Sequence, residues 1–166
     1  SDRRVKIIEN GFDLAIRAGG LSDSAMMTRK LGGIPRALVA GAEYARARPV
    51  PTRPTDLEDW DWIRYQQRTD TIDLTSDTGE TERVTGRSQI EVDSADALYY
   101  FATQDVGASV LPENLAERGV ASGALVRLLP KWRLPDIGLN AVWPDSSRRE
   151  TLTLLFVRFL AGELGR

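Results

Sequence analysis

Strand-like and helix-like patterns alternate along almost the whole chain, and this alternation restricts the architecture more than any other feature. The sharpest instance lies between Gln89 and Leu111. Gln89–Asp93 reads as a strand and Asp93–Ser94 as a helix N-cap signature. Ala95–Asp105 follows at helical period, with Leu98, Tyr99 and Ala102 in phase and Gly107 as the stop. Ala108–Leu111 then returns as a strand. A helix placed this way must fold back over the sheet to bury its apolar stripe, which makes the segment one unit of an α/β fold.

The flanking sequence extends the pattern. Phe12–Arg17 reads as a strand with Leu14 and Ile16 on one face, ended by Ala18, Gly19 and Gly20. Ahead of it, Val5, Ile7 and Ile8 suit a single helical turn closed by Asn10–Gly11. Met26–Leu31 and Arg36–Ala40 read as short strands separated by a turn signal at Gly32, Gly33 and Pro35. Ala42–Ala47 fits a short helix, and Pro49, Pro51 and Pro54 make a stiff connector. Thr55-Asp56-Leu57-Glu58 has capping-box spacing and predicts another short helix. Trp62–Tyr65, Thr71–Leu74 and Glu82–Thr85 read as strands, with a turn at Ser76–Glu80, and predict an antiparallel addition to a mainly parallel sheet. Beyond Pro112, Glu113–Arg118 is a short helix ended by Gly119, and Leu125–Leu129 and Ile137–Val142 are strands. Ser147-Arg148-Arg149-Glu150 is a second capping box. It predicts a closing helix over about 148–164 that buries Leu152, Leu155, Phe156, Phe159, Leu160 and Leu164.

Composition removes whole classes of chemistry. At 166 residues the chain supports one domain or two compact lobes. It holds neither Cys nor His. That excludes thiol nucleophiles, disulfides, zinc sites built on those residues and any Ser-His-Asp triad. No G-x-S-x-G, Walker-type or G-x-G-x-x-G sequence occurs, so no enzyme, metal or cofactor is expected. The net charge is −2, and the pairs Arg3–Arg4 and Arg148–Arg149 are balanced by Asp2, Glu9, Asp145 and Glu150. A DNA-backbone surface normally carries a net basic face, so nucleic acid is not expected to bind here. No apolar run reaches the eighteen or so residues a membrane span needs. The start at Ser1 rather than Met suggests a trimmed chain.

Six segments in order, FDLAIRAG (12–19), RALVAGAEY (36–44), DLEDWDWIRY (56–65), VDSADALYYFATQDVGASVLPE (92–113), SGALVRLLPKW (122–132) and LTLLFVRFLAGEL (152–164), carry a family resemblance. In that order and spacing the chain resembles the effector-binding domain of LysR-type transcriptional regulators. The resemblance implies a type 2 periplasmic-binding-protein-like α/β fold, with two Rossmann-like lobes joined by two crossover segments. Mapped here, lobe 1 is 1–40 plus 141–166 and lobe 2 is 41–140, with crossings near Val39–Gly41 and Gly138–Ala141. It implies a cytoplasmic bacterial regulator that senses a small molecule in the inter-lobe cleft. It further implies a homodimer or homotetramer, with Val5–Ile8 and the 113–121 segment as candidate contacts. DNA would be held only by a helix-turn-helix domain absent from this chain. The first lobe looks incomplete at its N-terminus, lacking a strand–helix–strand lead-in of roughly 30 residues or more. A transport-type solute-binding protein of the same fold is the alternative, and a hydrolase or transferase on an α/β sheet comes third.

In open α/β sheets ligands sit beyond the carboxyl ends of strands, where helix N-termini offer free N–H groups. Asp93 and Ser94 lie at such a junction, though either can serve simply as a helix cap. Arg17 ends a strand and can fork onto a carboxylate or pair with a neighbouring acid, and Ala18 and Gly19 after it permit close backbone approach. Val39, Ala40 and Gly41 enter as candidates through the first crossing, and Ser109, Leu111 and Pro112 line the end of a lobe 2 strand. Trp60, Trp62 and Trp132 are read as packing rather than as ligand platforms. The carboxylates of 56–61 and 91–96 are read as caps and solvated faces. With no His there is no ordinary titration switch near neutral pH.

Overall fold

Two prolines, Pro35 and Pro135, bound one compact unit of the chain, and the described residues that lead up to Ile34 and those that follow from Asp136 form a second. Proline has no N–H to give a sheet ladder, so strands stop there. The computed structural model describes residues 13–19, 26–66, 71–144 and 152–164. The expected turn at Val5–Gly11, Gly20 and the 147–150 capping box lie outside them.

In chain order the described elements begin with β1 (Ala15–Ala18), β2 (Met26–Ile34), β3 (Arg36–Gly41) and α1 (Ala42–Arg46), then a 3-10 turn at Pro54–Leu57. Next come β4 (Asp61–Tyr65), β5 (Thr71–Ser76), β6 (Thr81–Thr85), β7 (Arg87–Val92), α2 (Ala95–Thr103) and β8 (Ala108–Pro112). The chain closes with α3 (Glu113–Ala121), β9 (Leu125–Arg127), β10 (Trp132–Arg133), β11 (Ile137–Pro144) and α4 (Leu152–Leu164).

The 35–135 unit is built on a sheet of order β7-β4-β8-β3-β9. β4 runs parallel to β7 and β8, while β3 is antiparallel to β8 and β9. Both faces are covered. On one face Val39, Ile63, Leu111 and Leu125 of the sheet pack against Leu98 and Ala102 of α2 and Leu115 of α3. On the other, Leu38, Leu57, Trp60, Trp62, Leu74, Val84 and Leu128 form a second cluster. Strands buried on both faces read as apolar runs, which is why Ala37–Ala40 shows no alternation. The three tryptophans follow their expected packing role: Trp60 and Trp62 are buried and Trp132 packs against the same cluster. The Trp62 indole N–H donates to the Leu57 carbonyl at 3.1 Å.

The flanking unit is a sheet of order β1-β11-β2, all antiparallel, with α4 against it. Its described core is Leu31, Ala141 and Val157, with Leu14, Leu139, Trp143, Leu160 and Ala161 partly buried around them.

Several local expectations are corrected. Gly32 and Gly33 make no turn; they lie inside β2, paired with Leu139 and Gly138 beside a bulge. The Gly-Gly-x-Pro string marks a ladder that ends at Pro35. The β5–β6 hairpin does not extend the larger sheet but pairs with β10 in a sheet of its own. α2 ends at Thr103, and its stop is Asp105, with φ 56°, rather than Gly107. That Asp105 carboxylate accepts from the Glu43 and Tyr44 amides at 2.9 and 3.1 Å, capping α1. α3 runs through Gly119, where a Cβ would come within 2.3 Å of the Leu125 side chain, and is followed by Gly123 at φ 76°. The 3-10 turn starts earlier than Thr55 allowed, because Asp56 accepts from the Thr52 and Arg53 amides at 2.8 and 3.0 Å. β9 is shorter than Leu125–Leu129, with Leu129 at φ 50°. Among the described side chains of α4 Val157 is buried, while Leu155, Phe156 and Phe159 are half exposed or more. The helix is apolar around most of its circumference, so its sequence carries no single phase.

Candidate functional site

The parallel pairing of β4, β7 and β8 brings their carboxyl ends, Tyr65, Val92 and Pro112, to one edge of the larger sheet. β3 runs the other way, so its first residue, Arg36, arrives at that edge opposite Pro112. Two helices begin there. α2 follows β7 through Asp93–Ser94, and α3 follows β8 directly at Glu113. Both point the positive ends of their dipoles at the same edge.

Ser94 caps α2: its backbone is extended, and its hydroxyl accepts from the Ala97 amide at 3.2 Å. Its carbonyl accepts from the Leu98 amide. Helix geometry leaves the first amides, those of Ala95 and Asp96, without intrahelical acceptors. Asp93 stands exposed just before the cap and Asp96 in the first turn. α3 has no side-chain cap, and its first amide, on Glu113, donates to the Pro35 carbonyl at 2.9 Å. Pro112 is half-buried at the strand end. Asp93, Ser94 and Pro112 therefore share one edge and are reachable from solvent.

The other expected residues of this unit do not join them. Val39, Ala40, Ser109 and Leu111 are fully buried, and Gly41 is buried at the far end of β3, against Asp105. The Ser109 hydroxyl donates to the Ile63 carbonyl at 3.1 Å, tying β8 to β4 from inside. Val39 and Leu111 pack under α2 and α3 while Ala40 packs on the opposite face. Val39–Gly41 is core strand rather than a crossing, since the chain changes units at Pro35. In the flanking unit, Arg17 and Ala18 lie on β1 opposite Asn140 and Leu139, and Gly19, at φ 95°, donates its amide to the Gly138 carbonyl at 2.8 Å. Arg17 is half-buried and Ala18 exposed.

The sequence reading missed Arg36, Tyr65 and Gln66. Arg36 donates from its guanidinium to the Pro135 carbonyl, and the Gln66 amide donates to the Val92 carbonyl at 2.8 Å. The available signal was a polar residue next to a proline, or at the end of an apolar strand. The opposite edge of the sheet holds a self-satisfied cluster. Arg48 lies over the Tyr44 ring, 3.6 Å from its centroid, and 3.6 Å from the Asp61 carboxylate. Burial pushes the Tyr44 phenol up from its ordinary value. Among the described residues no group of three or more acidic residues could hold a metal ion, and no helix is long and apolar enough to cross a membrane.

These features meet known proteins at several points. The profile of the LysR substrate binding domain matches residues 1–165. The HTH-type transcriptional regulator PtxR of Pseudomonas aeruginosa is 32% identical over 167 residues, spanning 99% of this chain and 53% of that protein. The HTH-type transcriptional activator AaeR of Escherichia coli is 27% identical over 143 residues, 86% of this chain and 46% of that protein. The chain thus spans about half the length of the curated relatives it matches. Among solved structures, the regulatory domain of CrgA from Neisseria meningitidis superposes with a TM-score of 0.74 at 23% identity, covering 99% of this chain and 81% of that one. Full-length AphB of Vibrio cholerae does so with a TM-score of 0.75 at 21% identity, covering 97% of this chain and 55% of that one. The fold is accordingly the type 2 periplasmic-binding-protein-like α/β class. The chain belongs to the LysR substrate-binding domain family.

Proposed function

We propose that this chain is the effector-sensing region of a bacterial DNA-binding regulator. It recognises a small molecule at the sheet edge where α2 and α3 begin. The observation that carries this reading is the meeting of two helix N-termini with the solvent-reachable residues Asp93, Ser94 and Pro112. Free amides of Ala95 and Asp96 offer donors there, and the Ser94 hydroxyl is held at that edge by its cap bond. Arg17, Ala18 and Gly19, at the end of β1, supply a further contact in the flanking unit. The buried Val39, Ala40, Gly41, Ser109 and Leu111 act as support rather than as contacts.

Sensing is coupled to DNA through a helix-turn-helix carried elsewhere in the whole protein, as the names of its relatives suggest. The effector shifts the regulator between arrangements by no more than its difference in affinity for them. The regulator acts in the cytoplasm as a homodimer or homotetramer, with α3, whose Asn114, Glu117, Arg118 and Val120 face solvent, as one contact surface. It performs no catalysis. A thermal-shift screen of small carboxylates and aromatics tests the sensing role. A true effector at 100 times its Kd adds about 2.7 kcal/mol of stability, and Ser94→Ala weakens that gain. A screen in which no class moves the melting point contradicts it.

A further inference from the structure

The β5–β6 hairpin and β10 form a sheet of their own within the larger unit, and that sheet has two edges. β10 is two residues long, too short to template a partner, whereas β6 runs for five, from Thr81 to Thr85. The Ser76 amide donates to the Glu80 carbonyl at 2.8 Å, which makes that pair a bonded rung at the head of the hairpin. Bonded and non-bonded rungs alternate in an antiparallel ladder. Glu82 and Val84 therefore direct their backbone groups at Leu74 and Ile72, while Thr81, Arg83 and Thr85 turn theirs outward. Among the described residues no backbone group bonds to that outward side.

The side chains of β6 are not those of a strand ready for a neighbour. Its inner face carries Val84, fully buried, and Glu82, which stands opposite the fully buried Leu74. A carboxylate thus points into the covered side of the hairpin, with 11% of its side chain exposed. The Arg53 guanidinium, from the proline connector, holds it: Nε donates to Oε1 at 2.8 Å and Nη2 to the same oxygen. Nη2 also reaches Glu80 at 3.2 Å. Oε2 of Glu82 is buried and has no donor among the described residues. On the outer face Arg83 forks onto Asp73 at 2.6 and 3.2 Å, between the cross-strand pairs Thr71–Thr85 and Thr75–Thr81. Inward-pointing charges blunt sheet edges, because a further strand would take from such a group the water it still has.

We propose that Glu82 with Arg53 on the inner face, and Arg83 on the outer, guard β6 against being continued by the β6 of a second copy of this chain. In the antiparallel register of fullest overlap, Arg83 faces Arg83, and Glu82 faces Val84 on both sides of it. Like charges directly opposite destabilise a rung. Glu82 would also lose its remaining water beside an apolar side chain. Sliding the strands to bring Thr81 opposite Arg83 sets Glu82 against Glu82. The other residues of β6 are threonine and valine, all good strand formers, so the charges separate a guarded edge from an adhesive one. The guard is independent of the effector edge and of the sensing role.

Sedimentation velocity on the full chain, over a range of concentrations and with no effector added, tests the guard with the double variant Glu82→Val/Arg83→Val. The variant is expected to form a species larger than the wild type's, whose share grows with concentration. Its melting point at low concentration is no lower than the wild type's. In concentrated samples the amides of Thr81 and Thr85 exchange at least about tenfold more slowly than in dilute ones. Adding Thr85→Pro deletes an outward N–H without touching a bond to β5, and returns the mass to the wild-type value. If the double variant does not fold, Arg83→Val, on a side chain 66% exposed, decides alone by the same concentration dependence. Wild-type mass at every concentration overturns the proposal. So does a larger species that Thr85→Pro leaves intact, or a lower melting point with no change of mass, which would make the Arg53–Glu82 pair a stabilising bridge only.

Discussion

The two units obey the same α/β rules but differ in how fully their apolar surface is covered. In the 35–135 unit both faces of the main sheet are buried, and the largest fully buried side chains there include Trp62, Leu57, Ile63, Leu74, Leu111 and Leu125. In the flanking unit one described helix lies on a sheet whose described core is Leu31, Ala141 and Val157. Ile16, Met27, Leu155, Phe156 and Phe159 remain exposed there. Ile16, on β1, is 50% exposed. The contrast teaches that a sheet covered on both faces encloses a core of its own, whereas among the described residues the flanking sheet and its helix keep several apolar side chains at the surface. Stability is expected to be concentrated between the two prolines.

Substitutions in the two units break or sharpen that contrast. Trp62→Ala removes a fully buried ring in the larger unit and costs about 3–5 kcal/mol in urea denaturation. Val157→Ala, the matching change in the flanking unit, removes two carbons and costs roughly 1.5 kcal/mol. Equal losses would erase the distinction. Ser94→Ala removes the α2 cap and costs about 1 kcal/mol, and Ser94→Asp retains most of it. Phe159→Gln, on a side chain 62% exposed, changes stability by no more than about 0.5 kcal/mol and raises solubility at high concentration. The smallest effect is one of pH. Hydrogen bonds from the Thr52 and Arg53 amides hold the Asp56 carboxyl below its ordinary value. Its contribution is present above the unfolded carboxylate pKa and lost as pH falls through the lower folded one. Asp56→Asn removes that acid-side component from a stability-versus-pH curve, and an unchanged curve would refute it.

What the sequence revealed depended on whether a local interaction had a local signature. The strand, cap and helix of 89–103 were legible because Ser94 accepts from an amide only three residues on. The apolar run Ala37–Ala40 announced a buried strand but not where the chain changes units, since that is set by Pro35, Pro135 and a contact 99 residues long. Ser109 looked available for a ligand because nothing in its neighbourhood shows that its hydroxyl turns to the Ile63 carbonyl, 46 residues away. The phase of α4 was misread because its sequence is apolar on more than one side, and only the sheet selects Val157. Asp105 escaped notice as a cap for α1 for the same reason: its partners lie at Glu43 and Tyr44.

Amide chemical-shift mapping, using whichever carboxylate or aromatic raises the melting point, addresses the central claim most directly. Perturbed amides are expected at Asp93–Asp96, Glu113 and Arg17–Gly19. Perturbations centred instead on the exposed α4 residues Leu155, Phe156 and Phe159, or on the Tyr44–Arg48–Asp61 cluster at the opposite edge, would contradict it.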